Sequence, residues 1–252
     1  MERIENTGFG NIKLIQDPDQ FCYGVDAVIL ADFANSLCPD FTSAVDLGTG
    51  NGIIPLILSH KNSTAHITGV EVQPDSADMA KRSCEMNGLT DRITIAVGDV
   101  LDIYEDMMSG SLGTCLELKK GSADMVTCNP PYFTKGGAIP SSSRAKFIAR
   151  HETTAQVEDF IKAAAAFLKR KGHFFMVHRP SRLADIFYYS RKHGLEPKDL
   201  RMVVPKPGEA PNIVLIHCIK GGGKELNVMK ELAVYGEDGR YSDEIEKIYE
   251  RK

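Results

Sequence analysis

The stretch Ser43-Ala44-Val45-Asp46-Leu47-Gly48-Thr49-Gly50-Asn51-Gly52-Ile53-Ile54 decides how the rest of the chain is read. Ser43–Leu47 is a short apolar run of strand type, and Ile53–Ser59 continues as an apolar helix. Between them the glycines fall at every second position, 48, 50 and 52. A strand that turns into a helix through glycines lets its backbone come close to a ligand. A nicotinamide or flavin site spaces its glycines G-x-G-x-x-G and lays a pyrophosphate on the helix N-terminus. Here the spacing differs, and Asp46 precedes the glycines. A carboxylate repels a pyrophosphate and attracts a cation such as an ammonium group.

Outward from this turn the same alternation repeats. His66–Val72 is a β-branched strand. Pro74, with Asp75 beside it, opens a helix that runs to about Asn87 and stops at Gly88. Ile93–Val97 and Ala123–Cys128 are two further strands. The second ends in Asn129-Pro130-Pro131, where neither a helix nor a central strand continues. Thr153–Arg170 is predicted helical, Gly172–His178 a strand, and Ser181–His193 a helix capped by Ser181. Arg201–Val204 and Asn212–Lys220 read as the last two strands. Upstream, Val25, Val28, Ile29, Phe33 and Leu37 mark one face of a helix within the roughly forty residues before the first strand. Two stretches are expected to be mobile: 108–122, which links the third helix region to the fourth strand, and 134–145, which follows the Pro-Pro turn and is rich in Gly and Ser. After Gly221, Leu226, Val228, Leu232 and Val234 suggest an extended segment and Ser242–Glu250 a terminal helix. Strands alternating with helices imply an α/β fold, a mostly parallel sheet with helices on both faces. Residues 1–220 form the expected domain, with 1–40 as its N-terminal cap, and 221–252 form a tail with no assigned chemistry.

The composition fits such a domain. Of 252 residues, 42% are hydrophobic and 25% charged, and no apolar run is long enough to cross a membrane. Without a signal-peptide core at the N-terminus, the expected location is cytoplasmic. The six cysteines, at 22, 38, 84, 115, 128 and 218, contain no C-x-x-C pair, so they read as free thiols and no metal site is expected. The net charge of −4 hides an uneven distribution. Residues 1–143 carry −10, residues 144–220 carry +8 and the tail carries −2. A basic segment in an acidic chain suits contact with nucleic-acid phosphates.

Open parallel sheets bind ligands beyond the carboxyl ends of their strands. Glu71, followed by Val72, ends the second strand, and a carboxylate there accepts hydrogen bonds from ribose hydroxyls. Asp99, followed by Val100, ends the third and suits an adenine amine. Each carboxylate by itself reads as a cap. Asp46, Glu71 and Asp99 on three successive strand ends, after a turn built on Gly48, Gly50 and Gly52, read as a cofactor site. Asn129-Pro130-Pro131-Tyr132 is the most specific run in the chain. The prolines lack N–H donors, which leaves carbonyl acceptors, and Asn129 adds another. The lone pair of an aromatic amine is delocalised into its ring. Two acceptors holding its two hydrogens aim that lone pair at an electrophile. Tyr132 offers a ring face on which a base stacks; the ring, and not its hydroxyl, is its expected working part.

On Asp46–Gly52 and Asn129–Tyr132, over about residues 20–220, the chain resembles the class I methyltransferases of the Asn-Pro-Pro-Tyr type. The resemblance implies a Rossmann-like, seven-stranded sheet with one antiparallel strand and S-adenosylmethionine as methyl donor. It also implies that Asn129 and Tyr132 line the substrate pocket, with Asn129 near the cofactor as well. Tyr23-Gly24-Val25-Asp26-Ala27, the run Asn129 to Phe133, Ala149-Arg150-His151-Glu152 and Arg179-Pro180-Ser181-Arg182-Leu183 are similar to the bacterial tRNA1(Val) (adenine-N6)-methyltransferases. That narrower likeness implies a tRNA substrate, with Phe133 in the substrate site. It strengthens Arg144, Lys146, Arg150, Arg179 and Arg182 as candidates for phosphate contacts. No membrane and no obligate protein partner are expected. A protein glutamine-N5 methyltransferase shares the turn, but such enzymes carry a sizeable helical domain ahead of the first motif, and only about 45 residues precede Asp46. A DNA adenine enzyme normally has a target-recognition insertion, and none is visible. A guanine-N2 enzyme of ribosomal RNA stays open, as does a cofactor-binding module without turnover.

Overall fold

The strand runs are continuously apolar because both faces of the sheet are covered. Every residue of Ala123–Cys128 is buried. The structure is a computed structural model that describes residues 1–19, 22–110, 118–132 and 155–251. Its strands are β1 (Arg3–Asn6), β2 (Lys13–Gln16), β3 (Ser43–Leu47), β4 (His66–Glu71), β5 (Ile93–Val97), β6 (Ala123–Cys128), β7 (Leu168–His178), β8 (Leu195–Val204), β9 (Ile213–Lys220), β10 (Asn227–Val228) and β11 (Leu232–Ala233). Its helices are α1 (Val25–Leu37), α2 (Ile53–Lys61), α3 (Pro74–Met86), α4 (Val100–Ser109), α5 (Val157–Phe167), α6 (Leu183–Lys192) and α7 (Asp243–Ile248).

Seven long strands run in the order β8-β9-β7-β6-β3-β4-β5. β9 is antiparallel to both of its neighbours, and the other pairings among these strands are parallel. This is the seven-stranded, mostly parallel sheet that the family resemblance implied. The tail extends it to nine, since β10 and β11 both pair parallel with the edge strand β8. One face packs under α1, α2 and α3 and the other under α4, α5 and α6. Strand order reverses between β3 and β6, so the crevice at their carboxyl ends is the switch point where such sheets bind ligands.

Four local expectations change. The first forty residues hold a hairpin, β1–β2, as well as the helix. The helix expected over Thr153–Arg170 ends at Phe167, and residues 153–154 lie outside the described residues. Leu168 already pairs with Ala123 of β6, so sheet hydrogen bonding claims the residues that helix propensity would have kept. Ser181 does not cap α6. Pro180–Arg182 form a 3-10 turn, which leaves Arg182 at the N-cap with no side-chain capping bond to the helix backbone. β8 begins at Leu195, earlier than Arg201, and a register shift between Pro197 and Asp199 takes up Lys198. Among the described residues, no helix is long and apolar enough to cross a membrane.

Candidate active site at the β3–β6 switch point

The Gly-rich turn leaves β3 after Leu47, and the Asn-Pro-Pro-Tyr turn leaves β6 after Cys128. Leu47 and Cys128 are register partners, so the two turns start side by side. Gly48, Gly50 and Gly52 have φ of 72°, 57° and 85°, a region in which a Cβ is strained. A Cβ at Gly50 would meet no heavy atom of the described residues within 4 Å beyond its chain neighbours, so among them this part of the turn borders open space. Gly48 N and Thr49 N both donate to Val70 O at 2.9 Å, which ties the turn to β4.

Asp46 is fully buried and its Oδ1 accepts from Thr127 Oγ1 at 2.6 Å. Burial raises its carboxyl pKa to about 6 even though the Thr127 bond lowers it. Asp46 Oδ2 and Thr49 Oγ1 are buried and make no hydrogen bond of good geometry among the described residues, although the Thr49 hydroxyl is near enough to Asp46 to lower its pKa as well. Buried polar atoms are rarely left so, and a ligand cation or donor would satisfy them. Glu71 is 5% exposed; its Oε2 accepts from Gly50 N at 2.8 Å and its Oε1 from Gln73 N at 2.9 Å. It therefore shapes the turn. Asp99 behaves similarly. It is the N-cap of α4, and its Oδ1 accepts from Leu101 N at 2.8 Å. Val72 is half-buried, whereas the Val100 side chain is 5% exposed and packs into the core under α4.

On the reaction turn, Asn129 is half-buried, Pro130 buried, Pro131 exposed and Tyr132 half-buried. The Tyr132 hydroxyl lies 2.8 Å from Asn129 Oδ1 and 3.2 Å from Asp26 Oδ2, in the first turn of α1. His178, the last residue of β7, meets the Tyr132 ring edge-on at 5.1 Å between centroids. The Arg179 guanidinium lies over that ring at 5.3 Å. Arg179 also donates to Asn212 O at 3.3 Å, and Arg182 pairs with Asp185 at 2.8 Å. His178 Nδ1 accepts from Arg179 N at 2.8 Å, and burial lowers the His178 pKa to about 4. Phe133, Arg144, Lys146 and Arg150 lie outside the described residues.

Sequence reasoning thus found both turns and the strand-end carboxylates, and missed Thr49, Thr127 and His178 as neighbours. Thr127 was within reach of a register argument, because it lies opposite Asp46 on the next strand. Asp26 stood only inside a quoted run, because nothing in the sequence brings the start of α1 to the end of β6.

Comparison with known proteins agrees with this arrangement. Residues 11–185 match the family model described as the methyltransferase small domain. A tRNA1(Val) (adenine(37)-N6)-methyltransferase from Bacteroides fragilis is 30% identical over 230 residues, covering 89% of this chain and 87% of that protein. One of the same name from Histophilus somni is 24% identical over 98% of this chain and 97% of its own length. Among solved structures, a predicted O-methyltransferase from Agrobacterium tumefaciens superposes with a TM-score of 0.70 at 22% identity, covering 89% of this chain and 95% of that one. The 16S rRNA N2 G1207 methyltransferase of T. thermophilus, solved with AdoMet and guanosine, gives 0.58 at 18% identity over 87% of this chain and 50% of that one. At these identities the solved structures establish the shared fold. Both the Gly-rich turn and the Asn-Pro-Pro-Tyr turn fall inside the matched stretch, and the chain belongs to the methyltransferase small domain family.

Proposed function

We propose that the protein transfers a methyl group from S-adenosylmethionine to the exocyclic N6 of an adenine in tRNA, the adenosine beside the anticodon of tRNA1(Val). The observation that carries this reading is the pairing of the two turns on neighbouring strands. It sets an acceptor-rich Asn129 turn beside a cofactor-type turn. The names of the relatives from Bacteroides fragilis and Histophilus somni support the choice of base and RNA.

The residues present suit this cofactor. The buried, poorly satisfied Asp46 Oδ2 and Thr49 Oγ1 match an ammonium group, and the space at Gly50 admits a ligand against the backbone. Glu71 is assigned to the ribose hydroxyls and Asp99 to the adenine amine, with Val72 and Val100 beside them. Bound there, S-adenosylmethionine supplies an electrophilic methyl group on a sulfonium sulfur. The chain itself has to hold the target amine. Asn129 Oδ1 and the Pro130 carbonyl accept its two hydrogens and turn the lone pair out of the ring plane. They also stabilise the positive charge that develops on nitrogen. The methylated nitrogen then loses a proton to water, so no strong base is required. Tyr132 presents its ring to the base. Arg179, exposed beside that ring, is assigned to phosphate together with Arg182 and with Arg144, Lys146 and Arg150. A loop adenine is cheaper to unstack into such a pocket than a paired one.

The test offers the protein tRNA, ribosomal RNA, duplex DNA and a protein substrate with methyl-labelled cofactor, and digests each product for mass spectrometry. N6-methyladenosine in tRNA is expected. Label on guanine N2 would favour the ribosomal reading, and label on glutamine would overturn the nucleic-acid reading.

A further inference from the structure

From the geometry around Tyr132 we infer that Asp26 is a positioning residue that frees Asn129 for the target amine by taking over the Tyr132 hydroxyl. This inference rests on the role proposed above for Asn129. The Tyr132 hydroxyl sits between two acceptors, Asn129 Oδ1 at 2.8 Å and Asp26 Oδ2 at 3.2 Å. It carries one proton, which serves one acceptor well at a time. Burial and the adjacent Asp26 carboxylate raise the phenol pKa above its ordinary value, so the hydroxyl stays a donor at working pH. In the arrangement seen here, the better-placed acceptor is Asn129 Oδ1, the atom the amine hydrogen must use. The amine can take that oxygen only if the hydroxyl gives it up. A half-buried hydroxyl without an acceptor is costly. Asp26 removes that cost by offering a charged oxygen within reach, so the hydroxyl rotates without leaving its place.

The local sequence is built for this. Asp26 is in the first turn of α1, and its other oxygen, Oδ1, accepts from Ala27 N at 3.0 Å, which orients the carboxylate. Gly24 is the N-cap, and a Cβ there would lie 2.7 Å from Asp26 Oδ1. Any side chain at position 24 would push the carboxylate out of place. Gly24 and Asp26 thus act together, which accounts for part of the Tyr23-to-Ala27 run that the cofactor and reaction turns leave unused. The Arg179 guanidinium over the Tyr132 ring and the His178 imidazole edge-on to it hold the phenol, so its hydroxyl can swing between acceptors while the ring stays fixed.

The experiment is a double-mutant cycle in single-turnover methyl transfer to tRNA, with cofactor affinity measured separately by calorimetry. Asp26→Ala should lower the transfer rate about tenfold, the size of one ordinary hydrogen bond, with cofactor affinity unchanged. Asp26→Asn keeps a carbonyl acceptor and should recover most of that loss. In the Tyr132→Phe background, where no hydroxyl competes for Asn129, adding Asp26→Ala should cost nothing further. A readout in the free protein accompanies the kinetics. In [13Cζ]tyrosine-labelled protein, the Tyr132 resonance, assigned by its loss in Tyr132→Phe, should shift in Asp26→Ala. An equal loss from Asp26→Ala in both backgrounds, or an unmoved Tyr132 resonance, would overturn the inference while leaving the function intact. If the wild type methylates no RNA at all, the proposed function fails and takes this inference with it.

Discussion

Asp46, the carboxylate proposed to face the cofactor's ammonium group, is fully buried. With its pKa raised to about 6, it is partly protonated in the cofactor-free protein near neutral pH. A bound cation favours the ionised form, so binding releases a proton below that pH. Cofactor affinity should therefore rise with pH, by up to about tenfold per unit below pH 6, and level off above pH 7. Calorimetry in two buffers of different ionisation enthalpy at pH 6 should detect the released proton, and Asp46→Asn should abolish the pH dependence. Asn129 stands apart from this chemistry, because the contact proposed for it is one made mainly in the transition state. Asn129→Ala should keep cofactor affinity and lose kcat by on the order of a hundredfold. A kcat within a few-fold of wild type would remove Asn129 from the reaction.

Among the elements, β7 joins the edge of the sheet to the site, and its imidazoles tie stability to pH. His173 Nδ1 lies 2.9 Å from His217 Nε2 on β9, and His217 Nδ1 lies 2.7 Å from Asp199 Oδ2 on β8, a row across three strands. Burial lowers the pKa of both histidines, and it lowers His178, at the end of β7, to about 4. An imidazole whose folded pKa is depressed contributes stability above its unfolded pKa, and that stability is lost as pH falls. For His178 the window runs from about pH 6.5 down to 4, and the loss is about 3 kcal/mol. Asp46 acts in the opposite sense, since its raised pKa destabilises the fold as pH rises from about 4 to 6. The His178 share is therefore read as a difference. Between pH 7.5 and 4.5, urea unfolding should show a smaller loss for His178→Gln than for wild type. Equal losses would mean that His178 protonates freely in the folded protein.

At the scale of the whole molecule, the tail is structural. Leu232, Val234, Ile245, Ile248 and Tyr249 are buried in the same cluster as Phe9, Leu14 and α1. Tyr249 stacks on Phe9 at 5.6 Å and on Tyr241 at 5.7 Å, and His60 of α2 bonds to Glu250 at 2.9 Å. The end of the chain thus braces the N-terminal hairpin and α1, the helix that carries Asp26. Ile245 is fully buried, and Ile245→Ala should lower the unfolding free energy by about 2–5 kcal/mol. Its kcat well below the melting temperature should stay near that of wild type, because Ile245 has no role assigned in either turn of the site. A variant as stable as wild type would show that α7 is not docked in solution.

The glycine spacing after Asp46, the carboxylates at strand ends and the Asn129 turn were legible in the sequence because each depends on local backbone chemistry. A turn needs its glycines and prolines wherever it is placed, and alternating strand and helix patterns imply the parallel sheet. Residues 221–252 looked like a separate tail because their apolar residues are sparse and lack period. Only the folded chain shows that they pair with β8 and fill the space between α1 and the hairpin. Strand order likewise comes from packing, and it is strand order that sets β6 beside β3 and Asn129 beside the Gly-rich turn. The meeting of Asp26 with Tyr132, 106 positions apart, belongs to that second class. Hydrogen bonds between distant segments depend on how whole elements dock, and no local propensity encodes them.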